Sequence, residues 1–276
     1  MKIPKLILLT AKFSQFISPK LTTVFAAKLF TTPIKHKMPK RELSMDKKSR
    51  QELLFIPKIN KSIMVYHFGD SDKKILLVHG WSGRGTQLYK FADEFLKLGY
   101  STISFDAPAH GKSGSKTTIM PEFVASTIEM EKQFGPFEAA IGHSLGGMTL
   151  MNAIKRGLIL KKVVIIGSGD KIKDVLLDFV KSMKLNVKVA ESMKIYFESK
   201  FGEKLESYAA SDAAKSVLIP ALVIHDENDY EVPIFCGKNI YNNLPNGEIF
   251  VTTRLGHRKI LGDKSVIEKT INFIQH

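Results

Sequence analysis

The sequence predicts an α/β protein: a mostly parallel central sheet, helices on both faces, and an inserted helical cap. Three observations carry that prediction. After residue 53, short apolar β-rich runs alternate with amphipathic helical segments. The runs are apolar, as strands of a parallel sheet covered on both faces must be. One interval, Gly167 to Ile219, has helical but no strand patterning and breaks the rhythm.

The N-terminal residues 1–50 read as a basic amphipathic helical arm. Leu6, Leu9, Phe13, Phe16 and Ile17 recur at three- and four-residue steps, so they share one helical face. Ser18-Pro19 is an N-cap followed by proline at the first helical position. Leu21, Val24, Phe25 and Leu29 line the next face, and Pro33 ends it. A basic linker then runs to about residue 50. Three readings of this arm compete: packing on its own domain, adsorption to an anionic membrane, or a secretory signal led by Lys2 and Lys5. The third has a very short apolar core (Ile7, Leu8, Leu9), which Lys12 interrupts.

Residues 51–276 form the main domain. Leu53–Ile56 and Ser62–Phe68 are expected as antiparallel edge strands. The remaining strands are expected at Ile75–His79, Ser101–Phe105, Ala139–Gly142, Val163–Gly167, Ala221–His225 and Ile249–Thr252. Helices are expected at Thr86–Leu98, Pro121–Phe134, Met148–Arg156 and Ile234–Asn242, and the cap covers about residues 170–217. Within the cap, Ile172, Val175, Leu176, Phe179, Val180 and Met183 suggest one helix. Val189, Met193, Ile195, Tyr196, Phe197 and Phe201 suggest a second.

Composition bounds the function. Of 276 residues, 44% are apolar and 25% charged, enough for a large core, which excludes a wholly disordered chain. The lone Cys236 excludes an internal disulfide framework and a Cys₄ zinc site. No run approaches the roughly 20 apolar residues of a membrane span. The net charge is +14, but residues 1–50 hold 12 Lys and Arg against two acids, leaving 29 against 25 for the rest. The body is electrostatically ordinary, so a nucleic-acid partner is not expected. The expected location is cytoplasmic, with peripheral membrane contact as one reading of the arm.

The chemistry concentrates after strands, where open α/β sheets bind ligands. Gly142, Ser144 and Gly146 form G-x-S-x-G between a strand and a helix. A serine on so sharp a turn takes strained backbone angles and needs small neighbours two residues away. The turn lifts Oγ above the sheet and aims the Leu145 N–H at the oxygen of a bound carbonyl. His143 sits at the variable position beside the serine and is a candidate substrate contact.

Here the chain resembles the α/β-hydrolase superfamily, over residues 53–276, because several motifs agree in type and order. Val78-His79-Gly80-Trp81 looks like the family's oxyanion loop, with the Trp81 N–H as second donor and its indole as a pocket wall. His79 is expected to orient this loop. Asp106-Ala107-Pro108-Ala109-His110-Gly111-Lys112-Ser113 resembles a structural loop of the family, with Ala109 where glycine is usual. Asp106 and His110 are therefore read as loop-forming. His225-Asp226-Glu227-Asn228-Asp229-Tyr230-Glu231-Val232-Pro233 resembles the family's acid loop, placing the acid at Asp229, with Asp170 as the alternative. Leu255-Gly256-His257 resembles the loop that carries the general base.

The resemblance implies a Ser144–His257–Asp229 triad acting on a small-molecule acyl substrate, an ester or thioester, with neither metal nor organic cofactor. Amide or carbon–carbon hydrolysis, or acyl transfer, would use the same triad. A non-catalytic ligand-binding or membrane-surface protein of this fold is the third alternative. A carboxylate-nucleophile dehalogenase is disfavoured by Ser144. Phe179, Met183, Met193, Phe197 and Phe201 could line the pocket or simply fill the cap's core. Arg84 and Arg258 could steer an anionic substrate.

Overall fold

A computed structural model describes residues 3–276; Lys2, part of the signal reading, lies outside the described residues. Eight strands make one sheet, β1 (Arg50–Ile56), β2 (Lys61–Phe68), β3 (Lys74–Val78), β4 (Ser101–Asp106), β5 (Phe137–His143), β6 (Leu160–Ile166), β7 (Ala221–Asp226) and β8 (Gly247–Thr252). Their spatial order is β1-β2-β4-β3-β5-β6-β7-β8. The β1–β2 and β2–β4 pairings are antiparallel and all others parallel. All eight expected strands are therefore present, the first two as the antiparallel edge.

The helices are α1 (Lys5–Ile17), α2 (Pro19–Phe30), α3 (Leu43–Lys48), α4 (Tyr89–Lys97), α5 (Met120–Phe134), α6 (Leu145–Lys155), α7 (Ile172–Ser182) and α8 (Lys188–Phe201). They continue with α9 (Ala210–Ala214), α10 (Ile234–Tyr241), α11 (Gly256–Lys259) and α12 (Lys264–Gln275). None is long and apolar enough to cross a membrane, among the described residues.

Alternation along each strand feeds two cores. In β3, Leu76 and Val78 join the cluster with α5, α6 and the cap, whereas Ile75 and Leu77 join the one under α4 and α12. Val163 and Ile165 of β6 divide from Val164 and Ile166 in the same way. The strand order reverses at β3, and the helices after β3 and β5 leave toward opposite faces. That divergence opens a crevice at the carboxyl ends of these two strands.

The N-terminal arm is seated the opposite way round from simple amphipathic packing. Ala11, Thr22, Ala26 and Ala27 face inward and are buried, and α2 packs along α8. Small residues let two helix backbones approach closely. Ser18 caps α2, as expected, its Oγ accepting from Leu21 N at 3.5 Å. Gln15 Oε1 accepts from Asn186 N at 2.7 Å, tying α1 to the turn before α8. The large apolar residues Leu6, Leu9, Phe13, Phe16 and Ile17 point into solvent instead.

The basic segment after the arm's helices is pinned as well. Glu42 is buried and accepts from the Thr86 hydroxyl at 2.8 Å, and Arg84 donates to the His36 carbonyl at 2.6 Å. The seat of α2 is directly testable. Ala26→Leu adds three carbons where no space exists and should lower stability by about 1–3 kcal/mol, read as a shift of the urea midpoint. An unchanged midpoint would mean that α2 is not docked.

Candidate active site

Ser144 is the single residue between β5 and α6, with φ 54° and ψ −118°. A non-glycine residue holds such angles only when its surroundings force them. Ser144 N donates to Ile166 O at 2.9 Å, and Gly147 N donates to Ser144 O at 3.0 Å. The flanking glycines make the turn possible. A Cβ on Gly142 would lie 2.5 Å from Gly146 O, and one on Gly146 would strike Val78 O. A Cβ on Gly80 would sit 2.9 Å from Ser144 Cβ, so the loop after β3 runs directly past the serine. The N–H groups of Trp81 and Leu145 donate to no protein acceptor among the described residues. Leu145 begins α6, whose first-turn N–H groups and positive end add to an anion-favouring site.

His257, at the start of α11, meets Asp229, on the loop after β7. His257 Nδ1–H donates to Asp229 Oδ2 at 2.7 Å. Asp229 Oδ1 accepts from Glu231 N at 2.9 Å and Val232 N at 2.8 Å. Burial alone would raise the Asp229 pKa, but these hydrogen bonds outweigh it and hold the carboxyl below its ordinary value. Asp229 is thus an anion positioned on the imidazole. Gly167, with φ 56°, makes room for the pair: a Cβ there would sit 3.2 Å from His257 Nδ1.

The Ser144 hydroxyl, by contrast, makes no hydrogen bond to another described residue, His257 included. Such contacts are often long in ligand-free enzymes and tighten with substrate. Asp170, the alternative acid, is engaged elsewhere. Its carboxylate accepts from Ser211 N at 2.8 Å and Asn239 Nδ2 at 3.3 Å.

His143, His79 and His110 hold backbone. His143 Nε2–H donates to the His257 carbonyl at 2.9 Å, and the two rings lie 4.6 Å apart. Burial, with the neighbouring His257, pushes its pKa down to about 3, so it is neutral. His79 donates from Nδ1 to Gly80 O at 2.7 Å and accepts at Nε2 from Ala107 N at 3.0 Å. His110 donates to Pro108 O at 3.0 Å and accepts from Ser82 N at 3.0 Å. Burial lowers their pKa values to about 4 and about 3. Asp106 receives Gly85 N at 2.7 Å, Lys112 N at 2.6 Å and Tyr66 OH at 2.9 Å, closing its loop.

Above Ser144 lies a cavity of about 620 Å³. The cap contributes Phe179, Met183, Phe197 and Phe201 to its lining, while Met193 is fully buried in the cap core. Trp81 and Leu145 line it; His143 and His257 both lie outside the lining, and His143 Nε2–H holds the His257 carbonyl. Arg84 and Arg258 are also outside the lining. Arg84 is held by His36 O, and Arg258 pairs with Glu231 at 2.9 Å and 3.1 Å. The arm's share is the unforeseen part. Ile3, Pro4 and Ile7 of the α1 region and Leu29, Phe30 and Ile34 from α2 onward form a wall, with Phe30 stacked 6.4 Å from Trp81. The Phe25/Leu29 face of α2 was the available signal, but only the fold shows what it faces.

Comparison with known proteins agrees with the fold. Residues 73–186 match the family model described as alpha/beta hydrolase fold. An esterase from Exiguobacterium antarcticum superposes with a TM-score of 0.64 at 15% identity, covering 82% of this chain and 100% of that one. A bromoperoxidase from Bacillus anthracis gives 0.62 at 18% identity, with 82% and 100% covered. A curated relative from Burkholderia vietnamiensis, 2-hydroxy-6-oxononadienedioate/2-hydroxy-6-oxononatrienedioate hydrolase, is 27% identical over 68% of this chain and 82% of its own. The chain has the α/β-hydrolase fold, and its residues 73–186 carry that family's pattern.

The buried neutral histidines predict acid sensitivity. From about a pH unit above 6.5, the ordinary histidine value, folded and unfolded chains are equally unprotonated at these positions. Below it the unfolded chain takes up protons that His79, His110 and His143 refuse until about pH 4 or 3. Each such residue should steepen the fall in stability by about 1.4 kcal/mol per pH unit. Melting temperature should be flat above about pH 7.5 and fall steeply toward pH 4.5; a flat profile down to pH 5 would contradict this burial.

Proposed function

We propose that this protein is a serine hydrolase that cleaves a carboxylic ester or thioester with an apolar acyl group. The observation carrying this reading is the apolar cavity of about 620 Å³ directly over a strained Ser144, beside a histidine oriented by a carboxylate. Ser144 Oγ attacks the carbonyl carbon while His257 Nε2 takes its proton. Asp229 fixes the tautomer and stabilises the imidazolium. The N–H groups of Trp81 and Leu145 receive the charge on oxygen; losing one such donor costs roughly 10²–10³ in rate. His257 returns the proton to the leaving group, and a water activated by the same base releases the acid. The reaction needs no cofactor.

The curated relatives favour a second reading, carbon–carbon hydrolysis of a dicarboxylate, since they are named for a dioate. The lining of this cavity opposes it. Asp170, Asp174, Asp178, Glu203 and Glu231 meet it; Lys181, Arg156 and Arg258 pair with the last three, which leaves Asp170 and Asp174 facing Lys171 alone. A dianionic substrate would be repelled there.

Ser144→Ala should fold normally and lose labelling by a fluorophosphonate probe, followed by intact mass. Asp229→Asn should reduce turnover of p-nitrophenyl esters by roughly 10³–10⁴, whereas Asp170→Asn should leave it within about threefold. Loss of activity in the Asp170 variant alone would overturn the acid assignment. Efficient cleavage of a dienedioate, without ester turnover, would install the second reading.

A further inference from the structure

The outward face of α1 carries a run of exposed large apolar residues that the fold does not cover. Leu6, Leu9, Phe13, Phe16 and Ile17 form one stripe, with Leu6 76% and Phe16 92% exposed. Contiguous exposed apolar surface of this kind marks an interaction site. The surrounding charge has one sign. From Lys5 to Arg41 there are eight Lys and Arg residues and no Asp or Glu. All eight are exposed, and none forms an ion pair among the described residues. Lys5 and Lys12 flank the stripe on α1, and Lys20 and Lys28 continue the basic flank on α2.

We propose that α1 docks the protein on an anionic lipid surface, its apolar face in the acyl boundary and its lysines at the headgroups. An apolar stripe bordered by lysines is the pattern of a helix lying in the interface plane. A second copy of this chain is the poorer occupant, because two such faces would bring uncompensated cations together. The seat is built in two steps: α1 packs on α2 and α2 packs along α8 of the cap, with Gln15 Oε1 accepting from Asn186 N, so a docked α1 holds the whole hydrolase body at the membrane. The opposite side of the same helix walls the cavity through Ile7. A helix is only about 10 Å wide, so the lipid phase and the cavity lie one helix apart. The cavity therefore draws its acyl substrate from that surface, a step that rests on the hydrolase reading.

The test uses the full chain with sedimenting vesicles of phosphatidylcholine, with or without phosphatidylglycerol. Binding should require phosphatidylglycerol and weaken with salt. It should fall at least tenfold in Phe13→Asp/Phe16→Asp, and measurably in Lys12→Ser/Lys20→Ser. Melting curves and fluorophosphonate labelling in solution should match the unaltered chain for both variants. Hydrolysis of a long-chain ester presented in the vesicles should drop with binding, while a soluble short-chain ester is unaffected. Absent vesicle binding, or binding indifferent to both variants, would overturn the docking. A dimer abolished by the phenylalanine variant would reassign the face to a second copy and overturn it equally. Vesicle binding in a chain that neither labels nor turns over esters would remove the hydrolase reading and substrate delivery, and support docking alone.

Discussion

The whole arrangement hangs on one steric constraint, the close approach of three backbone segments at Ser144. The end of β3, the turn after β5 and the first residues of α6 meet where Gly80, Gly142 and Gly146 carry no side chain. Because a Cβ at any of the three positions would collide, the contact is possible only with glycine there. The serine then takes a backbone conformation that a relaxed chain avoids. Parallel pairing of β3 with β5 and of β5 with β6 over-determines that conformation, which is how the sheet stores the strain. Beside this crowding, the N–H groups of Trp81 and Leu145 donate to no protein acceptor among the described residues.

A second layer of organisation is made by neutral histidines rather than charges. His79, His110 and His143 each hold loop backbone through one or both ring nitrogens, and burial keeps them uncharged. His143 is the most consequential because it grips the backbone of His257 itself. The ionised partner in this neighbourhood is Asp229, kept anionic by two backbone N–H donors and the His257 ring. Desolvation is thereby avoided where charge is not needed and offset where it is.

The cap and arm set what the site can accept. Phe179 and Phe197 of the cap meet Phe30 of the arm at ring separations of 5.3 Å and 5.9 Å, and Trp81 stacks on Phe30 from below. One aromatic cluster thus joins the N-terminal helices to the loop after β3. The arm is part of the chamber, and its outward side remains a separate apolar and cationic surface.

The sequence by itself determined the eight strands, their edge hairpin, the helical cap and the identity of the serine turn. These depend on short-range patterns: apolar runs, helical spacing, and glycines flanking Ser144. The pairing of His257 with Asp229 was legible only because the loops resemble a known family, since nothing in a 28-residue gap dictates a 2.7 Å contact. Tertiary structure alone decided which face of the arm packs. Periodicity marked Leu6, Leu9, Phe13, Phe16 and Ile17 as one face, but periodicity does not say whether that face turns inward. The small buried residues Ala11, Ala26 and Ala27 settled it, because the approach of α1 to α2 and of α2 to the cap depends on the shape of partners the local sequence does not specify.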